Sequence, residues 1–241
     1  MDADRMFVLD LIDKYGQEFY DKCWEKLPDS QYGNLESMVL YGFIRESKPI
    51  TVAEIGVAEH GRSTFIIQKA LLENGQPFCH LMSDYHDTLG KAFNYLCEKE
   101  ISAEGIFLLP GQIQHTFQVP AWNKVDFLFI DADHTRLFAE WYFDSLIPLL
   151  KPATWVHIHD TNLSGDWVWR ERAGCETEEL MLRHDKGTLP LEKVAWLEDW
   201  CINRSFEIDR ERIYNRFPDI GKFPALELPY ACSASYWKMP A

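Results

Sequence analysis

The 241-residue chain has no CxxC pair, no long apolar run, no basic excess and no internal repeat, and each absence removes a class of protein. Its six cysteines, Cys23, Cys79, Cys97, Cys175, Cys201 and Cys232, are scattered without the spacing of a zinc site. They read as buried thiols in a reducing cytoplasm. No run approaches the ~18 apolar residues that a membrane span needs, and the acidic start MDADRMFVLDLIDKYG lacks a basic-then-apolar export signal. A soluble, unexported, cytoplasmic protein without a membrane partner is therefore expected. Lys and Arg number 24 against 38 Asp and Glu, a formal charge of -14. Nucleic acid is excluded as the expected partner, because such binding rests on basic side chains neutralising phosphates. A neutral or cationic small molecule suits the balance better.

What is present fits one sizeable core, with 46% apolar and 14% aromatic residues. Phe7, Leu11, Tyr15 and Phe19, with Val8 and Ile12 beside them, predict an amphipathic helix over residues 2 to about 26. A second helix is predicted over Leu35 to Arg45, before the break at Ser47-Lys48-Pro49. Residues 1–48 thus read as an N-terminal helical cap, and 49–241 as the main domain. Packing on the core and forming a lid are both open to the cap.

From Ile50 short apolar runs alternate with helical stretches, the pattern of a parallel sheet flanked by helices. Strands are predicted at Ile50–Gly56, Phe78–Asp84, Ile106–Leu109, Val125–Asp131 and Thr154–Asp160. Helices fall between them at about Ser63–Glu73, Thr88–Lys99 and Thr135–Leu150. Beyond Asp160 an aromatic and charged stretch to about residue 190 reads as an acceptor loop. A helix at Leu191–Asn203 and strands at Ser205–Asp209 and Tyr230–Met239 follow. The fold class expected is α/β, a doubly wound, mostly parallel seven-stranded Rossmann-like sheet with helices on both faces.

Two of these runs end on acids, Asp131 and Asp160. Adjacent parallel strands lie roughly 4.8 Å apart, so acids at their carboxyl ends can converge on one ligand or cation. The first turn, AEIGVAEHGRS from Ala53 to Ser63, has the shape of a ligand-binding turn. Gly56 can let the backbone turn, Gly61 can let a ligand approach, and Ser63 can cap the helix. It lacks the GxGxxG of a dinucleotide site and carries Glu59, an acid unwelcome beside phosphate. A cationic cofactor fits better. S-adenosylmethionine carries a sulfonium and an ammonium, which Glu54 could offset by Coulomb attraction. Asp84, ending the second run, can accept both ribose hydroxyls.

With EIGVAEHGRST, FIDADH, LIPLLKP and VHIHD in this order, the chain resembles the class I S-adenosylmethionine-dependent methyltransferases over roughly Thr51 to Asp160. More narrowly it is similar to the bacterial small-molecule and sugar O-methyltransferases, relatives of the cephalosporin-hydroxylase-like proteins and macrolide sugar methyltransferases. The resemblance implies a cofactor site from Glu54, Gly56, Gly61, Ser63, Asp84 and Asp131, with the adenine near Gly111 to Gln114 and Gln112 in contact. It also implies His134 as the base that takes the acceptor's proton, since imidazole titrates near neutral pH. In metal-dependent members Asp131 and Asp160 would hold a divalent cation, Mg or Mn, with His159 as a further ligand and Asn162 as another oxygen donor. Two features depart from the family pattern. The glycine turn is one residue longer, and Ala153-Thr154 stands where a glycine pair usually follows the LKP motif.

The expected activity is O-methylation of a hydroxyl on a small molecule or sugar, metal-assisted or not. A non-catalytic adenosyl-cofactor-binding module and a nicotinamide-dependent oxidoreductase remain as alternatives. Homo-oligomerisation stays open.

Overall fold

The computed structural model describes residues 3–27, 34–57, 61–118, 121–132, 138, 141–159 and 235–239. Leu11, Tyr15, Phe19 and Cys23 recur at every fourth position of α1 (Ala3–Cys23), and all four are buried along one stripe. The first helix therefore forms as its pattern predicts. In α2 (Asn34–Ser47) the apolar residues Met38, Val39, Leu40, Tyr41, Phe43 and Ile44 are all buried, so this helix is enclosed rather than amphipathic. It stops where Lys48 takes a left-handed φ of 46° and Pro49 forbids a further turn.

Five parallel strands follow, β1 (Thr51–Ile55), β2 (Cys79–Asp84), β3 (Ile106–Pro110), β4 (Phe127–Ile130) and β5 (Trp155–Ile158). The sixth, β6 (Ser235–Lys238), runs antiparallel to β5, with Val156 opposite Trp237. The sheet order is β3-β2-β1-β4-β5-β6. Of the seven strands expected, the one at Ser205–Asp209 lies outside the described residues, as do the acceptor loop and the helix at Leu191–Asn203. The crossover helices are α3 (Arg62–Asn74) and α4 (His86–Glu98), joined by a short α5 (Ile113–Thr116) that the apolar pattern did not predict.

Strand alternation gives the sheet two apolar faces. Val52, Phe127 and Phe129 point into a core shared with α1, α2 and α3. Ala53, Ile55, Leu128, Ile130, Val156 and Ile158 face Phe138, Tyr142, Leu146 and Ile147 on the other side. Both faces are covered, as a doubly wound sheet requires. Each fully buried large side chain contributes roughly 1.5–3 kcal/mol. The six from α2 therefore add up to an amount comparable with the ~5–15 kcal/mol net stability of a domain. The N-terminal helices are part of the core that holds the sheet.

Over about Thr135–Leu150 the sequence pattern predicts an α-helix. Its described end is a π-helical turn, Tyr142–Leu146, followed by a 3-10 turn, Ile147–Leu149. Pro148 is the reason, since it has no N–H to donate and its ring crowds the carbonyl of Asp144 four residues back. Ala153, standing in for a glycine, adopts a left-handed φ of 65° and donates its N–H to the Met239 carbonyl at 3.1 Å.

Candidate active site

The chain's direction of winding reverses between β1 and β4. From β1 it proceeds outward to β2 and β3, then crosses back to β4 and continues to β5. At such a switch point the loops leave on opposite sides and a crevice opens beyond the strands' carboxyl ends. A cavity of about 410 Å³ lies there. Ile55 and Gly56 line it from β1, Asp84 and Tyr85 from β2, Gly111 to Gln114 beyond β3, Asp131 beyond β4, and Phe138. The volume falls within the ~300–1,000 Å³ of small-molecule sites.

Gly56 is fixed by contact. Its φ is 84°, and a Cβ there would stand 1.9 Å from the Asp131 carbonyl oxygen. Only glycine lets the β1 turn pass so close to the end of β4. The next residue, Val57, donates its N–H to Asp84 Oδ2 at 2.8 Å, and Tyr85 donates to Oδ1 at 2.6 Å. The Asp84 carboxylate is thereby oriented by two backbone donors, while each oxygen keeps acceptor capacity for a ligand hydroxyl. Across the cavity Gln112 Nε2 donates to the Tyr85 hydroxyl at 3.1 Å. Ile113 and Phe138 supply apolar walls.

Asp131 begins where β4 ends, its N–H bonded to the Ile55 carbonyl at 2.8 Å. Its Oδ1 lies 3.1 Å from His159 Nδ1, and the other ring nitrogen of His159 lies 3.4 Å from Glu36 Oε2. His159 is 6% exposed and Glu36 4%, so the bridge is sealed on the side away from the cavity. A carboxylate thus faces each ring nitrogen of His159.

The remaining expected residues sit behind the cavity wall. Glu54 is fully buried and faces α3. It accepts hydrogen bonds from Ser63 Oγ at 2.6 Å and Thr64 Oγ1 at 2.9 Å, and lies 3.0 Å from His80 Nε2. Ser63 thus bonds Glu54 instead of capping the helix, and the cap position of α3 belongs to Gly61 at φ 56°. A Cβ on Gly61 would meet Ala92 Cβ at 3.0 Å, so the missing side chain serves the packing of α3 on α4. Gln68 donates its amide to the carbonyls of Ser102 and Glu104 at 2.8 and 2.9 Å, which leaves its oxygen to accept from His80 Nδ1–H at 3.1 Å. His80 thus bridges Gln68 and Glu54 through its two ring nitrogens.

The structure brings together Gly56, Asp84, Gln112 and Asp131 around the cavity, with His159 behind Asp131. It places Glu54, Gly61 and Ser63 in the support of the turn. His134, Asp160 and Asn162 lie outside the described residues. Among the described residues no three metal-binding side chains converge. His157, which shares His159's face of the sheet, is fully buried against the Phe129 ring at 4.8 Å. Burial pushes the Cys23 thiol up to about 12, which makes it an inert core residue at neutral pH. Among the described residues no helix is long and apolar enough to cross a membrane.

Sequence reasoning missed Tyr85, Phe138 and Glu36, while Ile113 lies within the stretch expected near the adenine. The first two carry no local signal beyond being aromatic. Glu36 had one, since an acid seven residues before Phe43 shares its side of a helix.

Residues 53–161 match the family described as Methyltransferase domain. No curated protein is similar enough to be matched with the chain. Among solved structures, the O-methyltransferase TomG from Streptomyces achromogenes, involved in tomaymycin synthesis and in complex with SAM, is 18% identical. That likeness covers 77% of this chain and 78% of that one, with a TM-score of 0.51. The O-methyltransferase from Bacillus cereus in complex with SAH is 15% identical over 79% and 81% of the two chains, with a TM-score of 0.51. The cofactor-bound Rv0187 from MTB is 16% identical over 77% and 79%, with a TM-score of 0.52. At these identities the likeness is one of fold. The carboxyl ends of the strands that frame the cavity fall within the matched stretch, residues 53–161.

Proposed function

We propose that the protein transfers a methyl group from S-adenosylmethionine to a hydroxyl of a small molecule or sugar. The observation that carries this reading is the oriented Asp84 carboxylate facing a cavity whose far side is closed by Asp131. The donor set suits the cofactor: a carboxylate for the ribose hydroxyls, apolar walls from Ile113 and Phe138 for the adenine, and a second carboxylate for the cationic end. Two solved O-methyltransferases of this fold, TomG and the Bacillus cereus protein, are complexes with SAM and SAH, which supports the same occupant and the same chemistry here.

When bound, the cofactor supplies an electrophilic methyl group. The protein's part is to fix its sulfonium end near Asp131, exclude water with the apolar wall, and accept the proton that the acceptor hydroxyl loses. The base assigned is His134, three residues after Asp131, whose imidazole is suited to that proton at neutral pH. Gly56, Asp84, Gln112 and Asp131 contact the cofactor, while Glu54, Gly61 and Ser63 hold the turn that shapes its site. A divalent cation would find Asp131 and His159 among the described donors, and Asp160 beyond them. The described pair does not make a complete site, because both nitrogens of His159 already face carboxylates.

Calorimetric titration with S-adenosylmethionine and with NADH, each with and without Mg or Mn, tests the reading. Binding of the adenosyl compound alone is expected, and its failure to bind would overturn the proposal. On an identified acceptor, His134→Ala should lower turnover by about 10²-fold or more while the cofactor still binds. Unchanged turnover would remove His134 as the base, and binding without turnover on any hydroxylated acceptor would favour a non-catalytic binding module.

A further inference from the structure

The buried acid Glu36 is separated from the cavity by two side chains, His159 and Asp131, and has no place in the chemistry above. Its position is set by two registers that agree. Phe43 of α2 packs edge-on against Trp155 of β5, with ring centroids 4.7 Å apart. Seven residues earlier on the helix, roughly 10.5 Å along its axis, stands Glu36. Four residues later in the chain, roughly 13 Å along the strand, stands His159. Residues 155, 157 and 159 point to the same face of the sheet, and α2 runs antiparallel to β5 across that face. Helix rise and strand rise thus bring Glu36 opposite His159, 123 positions apart in sequence.

Chemistry completes the match. Glu36 lies in the first turn of α2, where the positive end of the helix dipole favours a carboxylate. A buried carboxylate requires a hydrogen-bond donor, and His159 Nε2 at 3.4 Å supplies one. The contact at Nε2 restrains the ring, so Nδ1 stays aimed at Asp131 Oδ1 at 3.1 Å. Without Glu36 that restraint is lost, and the ring can tilt away from the Asp131 carboxylate.

We infer that Glu36 is a positioning residue of the methyl-transfer site: acting through His159, it holds the Asp131 carboxylate in its cavity-facing orientation. The inference rests on the reading of the cavity as the S-adenosylmethionine site. It makes the N-terminal helix α2 a part of the binding machinery as well as of the core.

The test is a double-mutant cycle on the full chain with Glu36→Gln, His159→Asn and the double variant, read by S-adenosylmethionine affinity. Histidine-labelled NMR of the wild type and the Glu36→Gln variant reads the His159 ring directly. Thermal unfolding identifies any variant that is merely misfolded, and Glu36→Asp, which keeps the charge, serves as the second variant. Glu36→Gln is expected to weaken affinity about tenfold and to shift the His159 ring signals, with Glu36→Asp recovering part of the loss. In the His159→Asn background the same change should have little further effect. Equal losses in both backgrounds would overturn the inference, and so would wild-type affinity together with wild-type ring signals in Glu36→Gln. If the wild type fails to bind S-adenosylmethionine, the cavity reading falls. Unshifted ring signals in Glu36→Gln would in that case overturn the Glu36–His159 contact separately.

Discussion

Glu54 and Asp84 stand on neighbouring strands in the same parallel sheet, yet one is sealed and the other open. Glu54 shares its face of β1 with Val52, so alternation directs it under α3, where Ser63, Thr64 and His80 occupy its oxygens. Asp84 is the last residue of β2, where the strand ends, and its carboxylate curls over the cavity between two backbone N–H groups. The same functional group thus does opposite work. In the sealed region the acid ties β1, α3 and β2 together through its contacts with Ser63, Thr64 and His80. In the open region it is held ready for a ligand. An acid beside a ligand-binding turn is therefore not a ligand contact by virtue of sequence proximity alone, since one position along a strand reverses what it faces.

This contrast predicts that the two regions fail differently. The largest effect is expected from Glu54→Ala, which strands His80 and two hydroxyls in the core and should cost about 3–5 kcal/mol of stability. Denaturant unfolding measures it, and a loss below about 1 kcal/mol would show that the sealed network is not what holds the turn. Asp84→Asn should do the reverse. Cofactor affinity should fall about tenfold or more, because a charged acceptor is lost, while the unfolding midpoint moves little. A large stability loss with affinity intact would merge the two regions into one. The smallest effect is expected from Ser63→Ala, since Thr64 and His80 still serve Glu54. A cost of about 1 kcal/mol in unfolding, with cofactor affinity within about twofold of the wild type, would place Ser63 on the sealed side. A tenfold loss of affinity would return it to the cofactor site.

Much of the fold was legible because its signals are local. Apolar runs of strand length, separated by helical spacing, located β1 to β5 and the helices α1 to α4 within a few residues. The glycine turn and the acids ending apolar runs also pointed to Gly56, Asp84 and Asp131, which line the cavity. Gaps arose where a single residue overrode a pattern. Pro148 converted the end of the expected α-helix before β5 into π and 3-10 turns. Ala153 accepted a left-handed turn where glycine is usual.

By itself the sequence determined the layered α/β architecture, the turn at Gly56 and the acids at the ends of strands, because hydrophobic period and turn chemistry act over a few residues. Only the tertiary structure decided which acids face the cavity. It turned Glu54 inward, gave Ser63 to Glu54, and brought Glu36 within hydrogen-bonding reach of His159. The physical reason is that a side chain's partner is set by the facing element. That element is chosen by helix-on-sheet packing, which depends on residues far apart in the chain.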